Sequence, residues 1–266
     1  MTKVTIQFIS DIHLEFYKKE LDISEFIHPC ADYLAILGDL GYPESEIFKT
    51  FLAQVSKQYK KVFYVSGNHE FYTCNNPSVP TMDELNNKMK RVCNRFDNVH
   101  YLNNEEYILS DTIVLLGTTL WTNIPKSEGR RIKHAINDYK YIFVKENHYK
   151  TNVSPETITT LHHQSVEWLS KKCTNHQDKT IIVLSHHLPT FHLISPAYRY
   201  YSNNTAFASN LDYLMQKHDH INYWLCGHTH SSMQCIIHNC HCMTNPHGYP
   251  GENSNYDKQK MICVGN

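Results

Sequence analysis

Short apolar runs recur along this chain, and five of them break into polar clusters of one kind. Val4–Ile9 alternates apolar with polar residues and runs into Ser10-Asp11-Ile12-His13. Tyr33–Leu37 leads into Gly38-Asp39, and Val62–Val65 into Ser66-Gly67-Asn68-His69-Glu70. Ile181–Leu184 leads into Ser185-His186-His187, and Tyr223–Cys226 into Gly227-His228-Thr229-His230. Runs of this length, bounded by turn residues, predict buried strands. Polar groups just past strand ends lie on loops, where α/β sheets build their sites.

Between these runs the apolar period lengthens to that of a helix. Glu44–Tyr59 carries Ile47, Phe48, Phe51, Leu52 and Val55, and Thr81–Phe96 places Met82, Leu85, Met89 and Val92 on one face. Ser154 before Pro155 reads as an N-cap followed by a first-turn proline, opening a helix to about Cys173. Asn204–His218 reads as a fourth helix. Ile113–Gly117 starts a second group of strands, continued by Met233–Ile237 and Met261–Val264. Trp121–Lys150 is the least regular stretch and predicts a long loop with a short helix. With no internal repeat, linker or low-complexity tract, residues 1–266 read as one domain. Strand and helix in alternation, then more strands, predict an α/β fold. Its expected form is a four-layer α-β-β-α sandwich with two mixed β-sheets packed face to face.

Composition narrows the class. Of 266 residues, 41% are hydrophobic and 19% charged, a globular balance that excludes disorder. A formal net charge of −1 gives no support to non-specific nucleic-acid binding, which calls for a basic surplus. The opening Met1-Thr2-Lys3 leads directly into a short alternating run, so a soluble cytoplasmic protein with no membrane partner is expected. Nine cysteines, Cys30, Cys74, Cys93 and Cys173 among them, are odd in number and scattered, unlike a secreted disulfide framework. Cys235, His238, Cys240, His241 and Cys242 crowd together but lack a C-x-x-C spacing. A hairpin near Asn239 is the expected reading.

The chemistry lies in the set Asp11, His13, Asp39, Asn68, His186, His228 and His230. Capping and turn duty is the ordinary use of Asp and Asn after strands. A complete set of oxygen and imidazole donors at strand ends instead points to divalent first-row metals: manganese foremost, with iron, zinc, nickel or cobalt also suited. Two ions a few ångströms apart would need about seven ligands with one carboxylate shared.

The order D-x-H, G-D, G-N-H-E, H, G-H-x-H, from Asp11 to His230, resembles the calcineurin-like metallophosphoesterases. The resemblance implies hydrolysis of phosphate mono- or diesters by a hydroxide bridging two divalent ions. It implies that Asp11, His13 and His230 hold the first metal, that Asn68, His186 and His228 hold the second, and that Asp39 bridges them. His69 would contact the phosphate or protonate the leaving oxygen, and Glu70 would orient it. His187 takes the place of His186 if the match is offset by one residue.

Gly38-Asp39 continues as Leu40-Gly41-Tyr42, without the phosphate-gripping Arg of the protein Ser/Thr phosphatase branch, and both histidines of G-H-x-H are present. A small-molecule or nucleotide phosphoesterase of the bacterial type is therefore expected. Asn245-Pro246-His247-Gly248-Tyr249 is similar to an N-P-R-G-Y segment of that group, with His247 where an Arg would stand; Gly117–Thr122 is similar to it too. If His247 faces substrate, a fixed positive charge is lost. Trp121, Asn123, Asn137, Asp138 and Tyr139 are candidates to line the cleft. A nuclease, or a non-catalytic scaffold on the same fold, is the alternative.

Overall fold

The computed structural model describes residues 3–17, 22–73 and 79–265. Two sheets carry the architecture. In the first, Val4–Ile9, Tyr33–Leu37, Lys61–Val65 and Val99–Tyr101 run parallel, and Met261–Val264 joins antiparallel beside Val4–Ile9. In the second, Cys240–Thr244, Ile221–Cys226, Thr180–Ser185 and Ile113–Thr118 run parallel. Gln234–Ile237 and Glu105–Ile108 close its two edges antiparallel.

Alternation in each strand produces the layering. Ile6, Phe8, Ala35, Leu37, Phe63 and Val65 from the first sheet meet Leu115, Ile182, Leu184 and Leu225 from the second in one core. The opposite face of the first sheet, with Ile9, Ile36 and Tyr64, packs on helices Glu46–Ser56 and Met82–Cys93. The outer face of the second, with Val114, Val183 and Trp224, packs on helices Pro155–Asn175 and Asp212–Lys217. Helix, sheet, sheet, helix is the four-layer order the pattern predicts. Capping fixes where these helices start. Ser45, Thr81 and Ser154 each accept an amide hydrogen bond from the first turn, Thr81 in a full capping box with Glu84.

Two expectations are corrected. Asn204–His218 is not one helix: a single turn, Asn204–Ala206, is followed by extended chain and the helix Asp212–Lys217. Ala208 bridges Leu188, and the Ser209 amide donates to the Leu188 carbonyl. Pairing with a distant strand end therefore overrides the local helical period. Trp121–Lys150 is more regular than expected. It holds helices Lys126–Ala135 and Asp138–Tyr141 and one strand of the hairpin Phe143–Glu146 with Tyr149–Asn152. The cysteine-rich stretch does form the expected hairpin, turning at His238 and Asn239. Eight cysteines are free thiols, and Cys74 lies outside the described residues. No helix among the described residues is long and apolar enough to cross a membrane.

Leu115 lies fully buried between the two sheets, away from the polar strand ends. Leu115→Ala is expected to cost about 2–5 kcal/mol of stability. A lower urea midpoint with an unchanged circular dichroism spectrum is the measurement that checks it.

Candidate metal centre

The polar clusters meet because parallel strands of both sheets deliver their C-terminal ends to one edge of the sandwich. Their loops are tight. Asp11, His13, Asp39, His228 and His230 all sit in the left-handed region, with φ between 47° and 76°. Such residues cost about 1–2 kcal/mol each relative to ordinary backbone, so the surroundings must over-determine them. The Asp11, His13 and Leu14 amides donate to the Gly38, Asp39 and Leu40 carbonyls at 3.0, 2.9 and 2.9 Å, zipping two loops together. The His69 amide donates to Asp39 Oδ1 at 2.8 Å, and the His228 amide to both oxygens of Asp11 at 3.0 Å. Two motif glycines are required by space. A Cβ on Gly67 would lie 2.2 Å from Asp39 Oδ1, and one on Gly227 would lie 2.6 Å from Asp11 Oδ2.

The side chains then converge in two groups. Asp11, His13 and His230 offer donor atoms all within 4.8 Å of one another, and so do Asp39, His186 and His228. Asn68 Oδ1 joins the second group, 3.1 Å from His186 Nε2. Asp39 reaches both sides: Oδ2 lies 3.9 Å from His13 Nε2 and Oδ1 lies 3.5 Å from His186 Nε2. Within each group two imidazole nitrogens face each other, His13 Nε2 with His230 Nε2 at 3.0 Å and His186 Nε2 with His228 Nδ1 at 3.1 Å. Two nitrogens sharing one ion at about 2.1 Å, at right angles, stand roughly 3.0 Å apart.

The outer nitrogens are tied down. His13 Nδ1 donates to Glu15 Oε1 at 3.0 Å, His230 Nδ1 to Glu252 Oε2 at 2.6 Å, and His186 Nδ1 to the Leu37 carbonyl at 2.8 Å. That arrangement fixes the tautomer and turns Nε2 inward as a lone pair, the usual support of a metal-binding histidine. Charge points the same way. Asp11 and Asp39 are buried, and among the described residues their ion-pair contacts are with imidazoles alone. Buried carboxylates without a cation are costly. The chain alone meets that charge with protons on imidazole: burial opposes protonation of His230, yet Asp11 pushes it up to about 9. Divalent ions of the kind that take mixed oxygen and imidazole shells would take the place of those protons. The donor set therefore fits two such ions.

All seven candidate ligands are thus brought together. His187 is not among them: its Nδ1 lies 3.1 Å from the Thr119 carbonyl, and its ring packs on Trp121. Burial, reinforced by His186, holds it well below the ordinary histidine range. His69 stands beside both groups, its Nε2 4.0 Å from Asp39 Oδ2 and its Nδ1 2.9 Å from Glu15 Oε1. Burial opposes protonation of His69, yet Asp39 and Glu15 push it up to about 9. Glu70 has a different place from the one expected. Its oxygens accept from the Asp39, Leu40 and Gly67 amides and from the Tyr64 hydroxyl, at 2.7 to 3.1 Å. It braces the two ligand loops, and the carboxylate that orients His69 is Glu15.

Glu15 and Glu252 are the residues the sequence reading missed. Glu15 had a signal, two positions after His13, whereas Glu252 stands on an irregular segment with none. Asn137 and Asp138 do line the cleft over the centre, and Asp138 holds Asn68 Nδ2 at 2.9 Å and the Tyr72 hydroxyl at 2.6 Å. Trp121 and Tyr139 are instead buried in packing, and Asn123 lines a separate cavity. His247 packs among Phe26, Tyr17 and Tyr256, outside the lining, so no substrate-facing charge is lost there; Tyr249 is the cleft residue of that segment.

The sequence profile of the calcineurin-like phosphoesterases matches residues 4–232. The chain belongs to that family. Calcineurin-like phosphoesterases are metal-dependent, in keeping with the donor groups found here. The uncharacterized protein L509 of Acanthamoeba polyphaga mimivirus is 34% identical over 274 residues, covering 97% of this chain and 96% of that one. A probable cyclic nucleotide phosphodiesterase of Moraxella catarrhalis is 30% identical over 121 residues, 41% of this chain and 38% of that protein. The phosphopantetheinyl hydrolase of Mycobacterium tuberculosis shares the fold, with a TM-score of 0.72 at 15% identity over 98% and 96% of the two chains. The protein TT1561 of Thermus thermophilus shares it at 0.53 and 12% identity, over 99% of each chain.

In this calcineurin-like phosphoesterase, Glu70→Ala would leave three amides and a phenol of the loop base without their acceptor. Each buried donor left unmet costs about 1–3 kcal/mol. A loss of at least about 3 kcal/mol in chemical denaturation is expected, along with weaker metal retention on dialysis.

Proposed function

We propose that the chain hydrolyses phosphate esters at a binuclear metal centre. The observation carrying this reading is the pair of donor groups joined by one buried carboxylate. Asp11, His13 and His230 are assigned to one ion, Asn68, His186 and His228 to the other, and Asp39 to both. Bound divalent ions supply an acidified water as nucleophile and positive charge for the phosphoryl oxygens. In the balanced reaction the oxygen of water bonds to phosphorus, one ester P–O bond breaks, and the departing alcohol takes a proton.

His69 is assigned to that proton. Glu15 holds Nδ1–H, so Nε2 is the nitrogen presented beside Asp39. An ion bound to Asp39 cancels part of that carboxylate's pull on His69. The Glu15 hydrogen bond favours the protonated imidazole as well, and with it His69 can carry a proton to the leaving oxygen. Glu15 joins His13 and His69 through one oxygen, so it couples the position of the proton donor to that of a ligand.

Purified chain reconstituted with manganese is expected to hold two ions and to lose all esterase activity in EDTA. Asp39→Asn should be the most damaging single substitution. Elemental analysis giving one ion or none would remove the basis of the assignment.

His69→Ala should keep both ions and lose about 10²–10⁴-fold in rate. The loss should be larger for alkyl esters than for p-nitrophenyl esters, whose phenolate leaves without a proton. Equal losses on the two, or loss of metal, would count against the proton-donor role.

A further inference from the structure

The cleft over the centre encloses about 320 Å³, the scale of a small-molecule site. Among the described residues its lining contains no lysine or arginine. Its charged groups beyond the candidate metal ligands and His69 are two carboxylates, Asp138 and Glu252. The nearby arginines are spent or turned outward. Arg131 bonds the Ser202 carbonyl, Asn203 Oδ1 and Glu128, and Arg199 is exposed outside the lining. A group bearing extra negative charge would therefore meet no lysine or arginine among the described residues of this lining.

What the cleft offers instead is ring surface. The loop between the strands ending at Ser185 and beginning at Ile221 supplies Tyr198, Tyr201 and Phe207 to one wall, and Tyr72 and Tyr249 are also in the lining. Two of these rings already pack on the centre's imidazoles, Tyr72 stacked on His69 with centroids 4.3 Å apart and Phe207 tilted against His228 at 5.0 Å. Tyr198, Tyr201 and Tyr249 are 60%, 46% and 39% exposed although they border a concave site. Aromatic faces left open at the rim gain most from covering by another flat ring, and base-on-aromatic stacking contributes about 1–3 kcal/mol per base.

Resting on the phosphoesterase reading above, we propose that the substrate is a singly charged phosphodiester with a planar, nucleobase-like group on the ester arm that stays on phosphorus. That arm would be received by the Tyr198–Phe207 loop, with Tyr201 as a specificity-determining residue. A second phosphate on the same molecule would be selected against. The walls give the ring its gain and give further charge nothing.

The test uses the full, manganese-loaded chain and three substrates with p-nitrophenolate as the common leaving group. These are thymidine p-nitrophenyl phosphate, methyl p-nitrophenyl phosphate, and the thymidine compound with an additional phosphate on its sugar. The thymidine diester should exceed the methyl diester by about tenfold or more in kcat/KM, chiefly through KM, and the additional phosphate should erase that gain. Tyr201→Ala should draw the thymidine-to-methyl ratio toward one, while Tyr201→Phe, which keeps the ring, should preserve it. Tyr201 is half exposed, and unchanged thermal melts would show that both variants fold. A ratio near one in the unsubstituted chain, a ratio untouched by Tyr201→Ala, or faster cleavage with the second phosphate would overturn the inference and leave the phosphoesterase reading intact. Cleavage of p-nitrophenyl phosphate but of none of the three diesters would overturn the inference alone, and cleavage of none of the four would overturn the underlying reading instead. Calorimetric Kd values for thymidine methyl phosphate and dimethyl phosphate then decide the question of the aromatic arm. A difference of about tenfold supports it, and equal binding refutes it.

Discussion

Everything at the candidate centre depends on one arrangement: two buried carboxylates, Asp11 and Asp39, surrounded by imidazoles and, among the described residues, paired with no lysine or arginine. Burial alone works against the Asp11 charge, the surrounding imidazoles bring its carboxyl below the ordinary carboxylate range, and the fold must hold those groups in place. It does so with backbone. Five candidate ligand residues adopt left-handed conformations, amide-to-carbonyl bonds tie the Asp11–His13 loop to the Asp39 loop, and the Asp11 and Asp39 carboxylates are themselves capped by the His228 and His69 amides. Glu70 completes the brace from beneath by taking amides of both the Asp39 and Gly67 loops. Strain and charge are thus concentrated at one spot, while the interior between the sheets is ordinary apolar packing. Such concentration is what a centre completed by added cations requires.

Parallel topology makes this possible. Strands from the two sheets point the same ends at the same edge, so residues far apart in the chain, Asp11 and His230 for example, come within 3.5 Å. No single loop could present seven donors with such different approach directions. Glycines at positions 67 and 227 remove the side chains that would otherwise occupy the space of Asp39 and Asp11. The G of G-N-H-E and the G of G-H-x-H are therefore part of the carboxylates' seats.

Most of the sandwich was legible because its strands are short apolar runs ending in turn residues, and its helices carry their own caps. That the candidate donors converge was legible for the same reason: each stands within four residues of a strand end. Legibility stopped where structure depends on partners distant in sequence. Asn204–His218 has a helical period, yet Asn204 turns its amide to the Tyr198 and Arg199 carbonyls, and Ala208 pairs with Leu188. Side chains of this kind compete with the helix backbone, and no periodicity registers a competitor that far upstream. Glu70 was assigned to the histidine beside it because adjacency is what a sequence displays. Its carboxylate turns to the loop base, and Glu15 takes the imidazole instead.

The same division separates reaction from recognition. Groups assigned to bond-making stand on strand ends fixed by the sheet registers. Groups that wall the cleft, Tyr198, Tyr201 and Tyr249, stand on irregular segments attached to the sheets by a few hydrogen bonds. Arg131 is informative here. Placed near a phosphate-handling site, it spends its guanidinium on Ser202, Asn203 and Glu128, which shapes the loop and contributes no charge to the cleft. A chain recognising polyanions would gain from turning that arginine inward. One that recognises a ring on a singly charged ester gains from using it as a strut behind aromatic walls. The direction in which Arg131 is spent therefore agrees with the aromatic lining, in which no described residue is a lysine or arginine, and its partners Ser202 and Asn203 stand on the loop between the strands ending at Ser185 and beginning at Ile221.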